Sequence, residues 1–197
     1  MRYDTQHKER TRQRVLREAA DAIRAEGPDR IGVAGLMAKA GLTHGGFYAH
    51  FESKDDLIAQ AITQMFDDRY RLFLARTEGL DPSQGLVNFV DGYLSARHRD
   101  DTSRGCPMPT LAGELARMPP IARQRFAEGG DRITKAVVAM LKAAGVADAQ
   151  DFALSMIAEM VGAVALSRVV ADPARSSRIL KASRDSIKAR IRAATSA

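Results

Sequence analysis

Between Ile31 and Leu57 the chain reads IGVAGLMAKAGLTHGGFYAHFESKDDL, and its polar residues are spaced to grip a polyanion. Thr43 stands where it can cap a short helix and offer its hydroxyl to a phosphate. His44, Gly45 and Gly46 follow in the first turn, the part of a recognition helix that reaches base edges in a major groove. Two adjacent glycines cost a helix about 1 kcal/mol each; the return is a close approach of backbone to nucleic acid. Tyr48 and His50 can donate to phosphates, and Lys54 can do the same beside the free N–H groups of the next helix. Phe47 and Phe51 are expected to anchor the reading helix to its core. Taken singly, Tyr48, His50 and Lys54 read equally well as surface residues; their joint spacing after Gly41 and Thr43 favours DNA contact. His44 has no second ligand at helical spacing, so no metal site is expected there, and no cofactor elsewhere.

The elements that must hold these residues are helical. Val15, Leu16, Ala19, Ala20 and Ile23 fall on one helix face, with Thr5 as its cap and Gly27-Pro28 as its end. Val33 to Ala40 makes a short helix stopped by Gly41, and His44 to His50 a second, which is helix-turn-helix spacing. Ser53 starts a longer helix with Asp55 and Asp56 in its first turn, where the dipole favours acids. Further helices are expected from Pro82 to about Arg97, Thr110 to Arg117, Pro120 to about Ala144, Asp148 to about Ala171 and Arg175 to about Ala194. Asp100 to Gly105 reads as a polar loop. No strand-like alternation, internal repeat or low-complexity segment is present.

The 197 residues carry a formal charge of +6, with one cysteine. That length supports a real core, and one cysteine excludes a disulfide framework within a chain. The N-terminus is too charged for a signal peptide, and no membrane span is expected, because the weakly charged run Phe152 to Ser167 is short and holds Glu159. A cytoplasmic protein is the expectation. The positive surplus sits at the ends: residues 168–197 alone hold eight Lys/Arg against two Asp/Glu, whereas residues 18–55 hold four against six. Lys8 to Arg17 reads as a basic arm for a phosphate backbone or minor groove, or equally as a solvated helix face.

The run Ala40-Gly41-Leu42-Thr43-x-Gly45-x-x-Tyr48-x-His50-Phe51-x-x-Lys54-x-x-Leu57 resembles the DNA-binding domain of the TetR/AcrR family of transcriptional regulators. Gly105 to Leu115 also resembles a stretch seen in one group of them. The resemblance implies an all-α fold of about nine helices. Residues 1–54 would form a three-helix helix-turn-helix domain, and residues 55–197 a helical ligand-binding and dimerisation domain. It implies Thr43, His44, Gly45, Gly46, Phe47, Tyr48, His50 and Lys54 as the DNA-binding set. It also implies a homodimer through the two C-terminal helices, a palindromic double-stranded operator and a small-molecule effector. Gly32 and Gly46 depart from the hydroxyl residues frequent in the family, which leaves fewer side-chain contacts.

Periodicity and that layout suggest a mainly apolar effector lined by Met65, Phe66, Phe89, Tyr93, Met108, Phe126, Met156 and Met160. Arg69, Arg97 or Glu159 would orient a polar end. Glu159 could instead be met by a neighbouring Arg or point to solvent. Cys106, near His98 and Arg104, could be a redox or electrophile sensor, or an inert core thiol. The last helix places Lys181, Arg184, Lys188 and Arg192 opposite Ile179, Leu180, Ile187 and Ile191. It reads as a half-exposed dimer helix, with a membrane-surface or interaction module as the alternative. No GxGxxG, P-loop, HExxH or GxSxG motif suggests an enzyme.

Overall fold

The computed structural model describes residues 2–195, and the side chains of 6–43 and 45–195. Among the described residues there are nine α-helices, two 3-10 helices and no strand. The amphipathic run around Val15 forms α1 (Arg2–Glu26), ended by Gly27 at φ 87°. The helix is already under way at Thr5, so Thr5 does not cap it. The basic arm is likewise part of α1. Arg12 donates to Gln60 and lies 5.6 Å over the Phe51 ring, so this segment is docked and not a free arm.

Helix α2 (Val33–Lys39) follows, with Gly32 at its N-cap supplying no side-chain bond. At its end Gly41 adopts φ 72°, and Leu42 N–H reaches Met37 C=O at 2.8 Å while Gly41 N–H reaches Ala38 C=O at 2.9 Å. This left-handed closure satisfies the last carbonyls, and glycine adopts it at no steric cost. The chain then re-enters as a 3-10 helix, His44–Ala49.

Helix α3 (Lys54–Thr77) begins with Ser53 accepting from Asp56 N–H at 3.0 Å, while the Asp56 carboxylate accepts from Glu52 N–H at 3.1 Å. The expected helix from Pro82 to Arg97 is two: α4 (Pro82–Tyr93) and α5 (Ala96–Asp100). Leu94 leaves helical geometry and Ser95 caps a new start by accepting from His98 N–H at 3.2 Å. The expected Thr110–Arg117 helix is α6 (Pro107–Leu111), then a 3-10 helix, Ala112–Arg117.

Helices α7 (Pro120–Ala143), α8 (Ala149–Val169) and α9 (Pro173–Thr195) complete the chain. Asp148 holds the N-cap position of α8 but makes no side-chain cap bond. Helix α8 is also longer than the run suggested by its charges. It has 21 residues, and an 18-residue stretch within it reaches a mean hydropathy of 1.6, long and apolar enough to cross a membrane by length and composition. One side of it, Ala153, Met156, Met160, Ala163 and Val164, is buried, while Leu154, Leu166 and Val169 are exposed. Its neighbours in the fold are α7, α9, α6 and α5.

A single apolar cluster runs from Val15 and Phe47 at one end to Leu180 and Ile191 at the other. Helix α3 joins the two ends: its first turns bury Leu57 and Ile58 beside α1, and its later turns bury Met65, Phe66 and Phe73 against α4 and α7. Helix α3 thus joins the N-terminal helices to the rest of the chain, and α1 adds a second link through α6 and an Arg24 hydrogen bond to Ser103 C=O.

Candidate nucleic-acid interface and effector cavity

The 3-10 helix is held by Phe47, 2% exposed, whose ring meets Tyr48 edge-on at 5.2 Å and Phe51 at 5.5 Å. Phe47 C=O accepts from both His50 N–H and Phe51 N–H. With Phe47 as the inward peg, Tyr48 is left 71% exposed, and Thr43, Gly45 and Ala49 are exposed beside it. Thr43 occupies the N-cap but makes no side-chain cap bond, so its hydroxyl is not spent within the helix. The element is 3-10 where an α-helix was expected: it has two glycines and no side-chain cap, and six residues are too few to pay for nucleation alone.

Neither Gly45 nor Gly46 is demanded by the protein's own packing. A Cβ on Gly45 would meet nothing within 4 Å, and one on Gly46 would make ordinary contact with Thr43 Oγ1 at 3.7 Å. Neither has positive φ. Burial, then Lys8 and Arg12, lower the pKa of His50, and its Nδ1 is buried without a partner. Lys54 Nζ lies 3.4 Å from Asp29 C=O on an exposed edge. The structure thus brings Thr43, Gly45, Gly46, Tyr48, His50 and Lys54 to one end of the molecule, with Phe47 behind them. The side chain of His44 lies outside the described residues.

The expected effector residues fall into two groups. Met65, Phe66, Phe89, Tyr93, Met156 and Met160 are core, all at most 6% exposed, and Met108 and Phe126 are half-buried against the same cluster. An apolar effector would have to displace them. Glu159 is taken by Arg190 of α9, which also donates to Ser155. Arg69 and Arg97, in contrast, face an open cavity of about 250 Å³ between α3, α4 and the 95–105 segment. The lining of this cavity is cationic, whereas the lining expected for an effector is mainly apolar.

Cys106, next to the cavity-lining Gly105, is 1% exposed, and His98 does not serve its thiol. His98 Nδ1 donates to Tyr93 C=O at 2.7 Å, and Nε2 accepts from Cys106 N–H at 2.9 Å. Both ring nitrogens are thus engaged by backbone, which fixes the tautomer. Burial, then Arg69, depress the His98 pKa to about 4, leaving the ring neutral. Its folded pKa lies below the unfolded value of about 6.5. The stabilisation is therefore complete above pH 6.5 and is lost as pH falls from 6.5 towards 4. The protein is expected to lose about 2 kcal/mol from this group between pH 7 and pH 5. Urea unfolding of the wild type and His98→Gln across that range checks it; equal slopes would refute the assignment.

Arg168 was missed by sequence reading. It donates to Arg99 C=O at 3.0 Å, His98 C=O at 3.1 Å and Thr110 Oγ1 at 2.9 Å, tying α5 and α6 to α8. The basic stripe of α9 is also partly internal, since Lys188 and Arg184 pair with Asp91 of α4, Lys188 at 2.9 Å.

No curated protein matches the chain in sequence. Among solved structures, a TetR transcriptional regulator from Chloroflexus aurantiacus J-10-FL is 26% identical, with TM-score 0.82 over 94% of this chain and 96% of that one. A TetR-family regulator from Cytophaga hutchinsonii, 22% identical, gives TM-score 0.79 over 92% and 94%. A transcriptional regulator from Saccharomonospora viridis in complex with choline, 19% identical, gives 0.75 over 91% and 96%. Residues 15–61 match the bacterial regulatory proteins of the tetR family, and residues 82–183 match the tetracyclin repressor-like C-terminal domain. With both halves matched and the helix-turn-helix in place, the chain belongs to the TetR family of bacterial transcriptional regulators.

Proposed function

We propose that the protein is a homodimeric, ligand-responsive repressor that leaves a palindromic operator when an effector binds its body. The observation that carries the DNA-binding part is the pair Gly45-Gly46: their missing side chains serve no internal contact, so the small surface is there for a partner approaching from outside. Residues 1–54 are the reading head and 55–197 the effector and dimerisation body. Helices α8 and α9 carry the dimer contact, supported by the exposed apolar residues Leu154, Leu166 and Val169. Two heads about 34–36 Å apart would enter successive major grooves. An effector favouring a different head separation would lower DNA affinity by differential binding to two states.

Roles divide within the head. His44 reads bases, while Lys54, Tyr48 and His50 hold phosphates. His44→Ala is expected to change sequence preference among fragments selected from genomic DNA. Lys54→Ala should weaken binding to all fragments alike, with a salt slope shallower by about one. The reverse pattern would refute these roles, and a protein that shows no specific binding at low salt would refute the reading itself. The thiol-sensor alternative gains no support, because Cys106 is buried and the nearest histidine is committed to backbone. Nor does a membrane-surface role for α9, whose Lys188 and Arg184 are turned to Asp91.

A further inference from the structure

Four arginines converge on the cavity between α3, α4 and the 95–105 segment: Arg69, Arg76, Arg97 and Arg104. Among the described residues none of the four has an ion-pair partner, and the acids beside them pair with other cations. Asp21 pairs with Arg24 at 2.9 Å, Asp68 with Arg71 at 2.8 Å, and Asp91 with Lys188. Asp101, the one acid in the lining, accepts from Ser103 and from Arg104 N–H. Burial, then Arg69 and Arg97, lower the pKa of Arg76. Converging guanidinium groups held without counter-charge are unfavourable unless something else fills the place between them.

The helix beside the cavity leaves room for one of these cations: Arg76 lies across Gly92, where a Cβ would sit 1.4 Å from its Nη1. An adjoining cavity of about 370 Å³ shares Arg69 and Arg104 and reaches α1 at Arg17 and Arg24; its two acids, Asp21 and Asp68, are paired with Arg24 and Arg71. The Arg24 side chain is 4% exposed, and its Nη1 is buried with no hydrogen-bond partner. A second unfilled donor therefore lines the same crevice, on the other side of the junction between head and body.

We propose that this crevice binds a compact anion of two or more negative charges, a phosphate or a dicarboxylate, held by Arg69, Arg97 and Arg104 and flanked by Arg76 and Arg24. Planar guanidinium groups bind both oxyanion types through paired N–H donors, which is why one site accommodates either. This rests on the ligand-responsive reading, for which it names the effector class, but the site is tested on the protein without DNA. A chain that binds the anion and no operator would sink that reading and leave the site standing.

The experiment is calorimetric titration of the full chain with inorganic phosphate and, separately, succinate, at fixed ionic strength set with sodium chloride. Saturable binding with Kd below about 1 mM is expected for at least one of them, and the one that binds identifies the source. Arg97→Ala and Arg104→Ala, both exposed and so harmless to folding, should each weaken it at least tenfold. Arg132→Ala, which removes a cation paired with Asp67 outside the crevice, should leave it unchanged. Absence of saturation with both anions, or binding that Arg97→Ala and Arg104→Ala leave intact, would overturn the proposal.

Discussion

Phe47→Ala is expected to abolish specific DNA binding, lowering affinity by about a hundredfold or more, while the α7–α9 body stays folded. The 3-10 helix that presents Tyr48 has little stability of its own. It has six residues, two glycines, an N-cap without a side-chain bond and the weaker hydrogen-bond geometry of its class. What holds it is the Phe47 ring between Tyr48 and Phe51, 2% exposed. Truncating a buried phenylalanine costs about 3–5 kcal/mol, more than a segment this short can replace by rearrangement. The loss should appear as faster amide exchange in residues 33–51 with protection kept in α7, and as lost binding to genomic fragments that the wild type selects. Undiminished affinity would mean that this element does not present the reading surface.

Gly129→Ala is expected to lower the melting temperature by roughly 4–8 °C. Gly129 lies on α7 where it crosses α3, and a Cβ there would fall 2.2 Å from Phe66 Cγ and 2.7 Å from its Cβ. Phe66 has nowhere to go, being 1% exposed and edge-on to Phe126 at 5.2 Å. The alanine gains about 1 kcal/mol of helix propensity, but prising the two helices apart costs about 3 kcal/mol, so overpacking wins. A double variant, Gly129→Ala with Phe66→Leu, should recover part of the loss. Calorimetry that finds Gly129→Ala as stable as the wild type would show that the helices do not approach so closely.

These two positions mark what can be read from the sequence. Phe47 was legible as an anchor because its place between Gly45 and Tyr48 fixes its direction. Gly41 and Gly27 were legible as helix ends because each follows a periodic apolar run, and both adopt positive φ. Gly129 and Gly92 left no comparable trace: a missing side chain inside a helix says nothing about which neighbour needs the space. The break at Leu94 was hidden because Ser95 starts a new helix at once, so the composition reads as continuous. The cationic crevice was hidden for another reason. Its arginines come from positions 17–24, 69–76 and 97–104, and only the packing of α1, α3 and the 95–105 segment brings them together. The apolar residues proposed as an effector lining were correctly placed inward, but periodicity cannot separate the wall of a cavity from solid core.

Helix α3 has a mechanical consequence. Its 24 residues span roughly 36 Å, and the head's core and the body's core grip its opposite ends. It is therefore a stiff lever with no hinge of its own. A tilt of about three degrees at the far end would carry the reading head about 2 Å over that length. In a two-fold dimer the opposite displacement of the second head doubles the change in span. Arg69 and Arg76 sit on the body half of this lever, and Lys54 begins its head half. Small rearrangements around the arginines would thus arrive at the DNA enlarged.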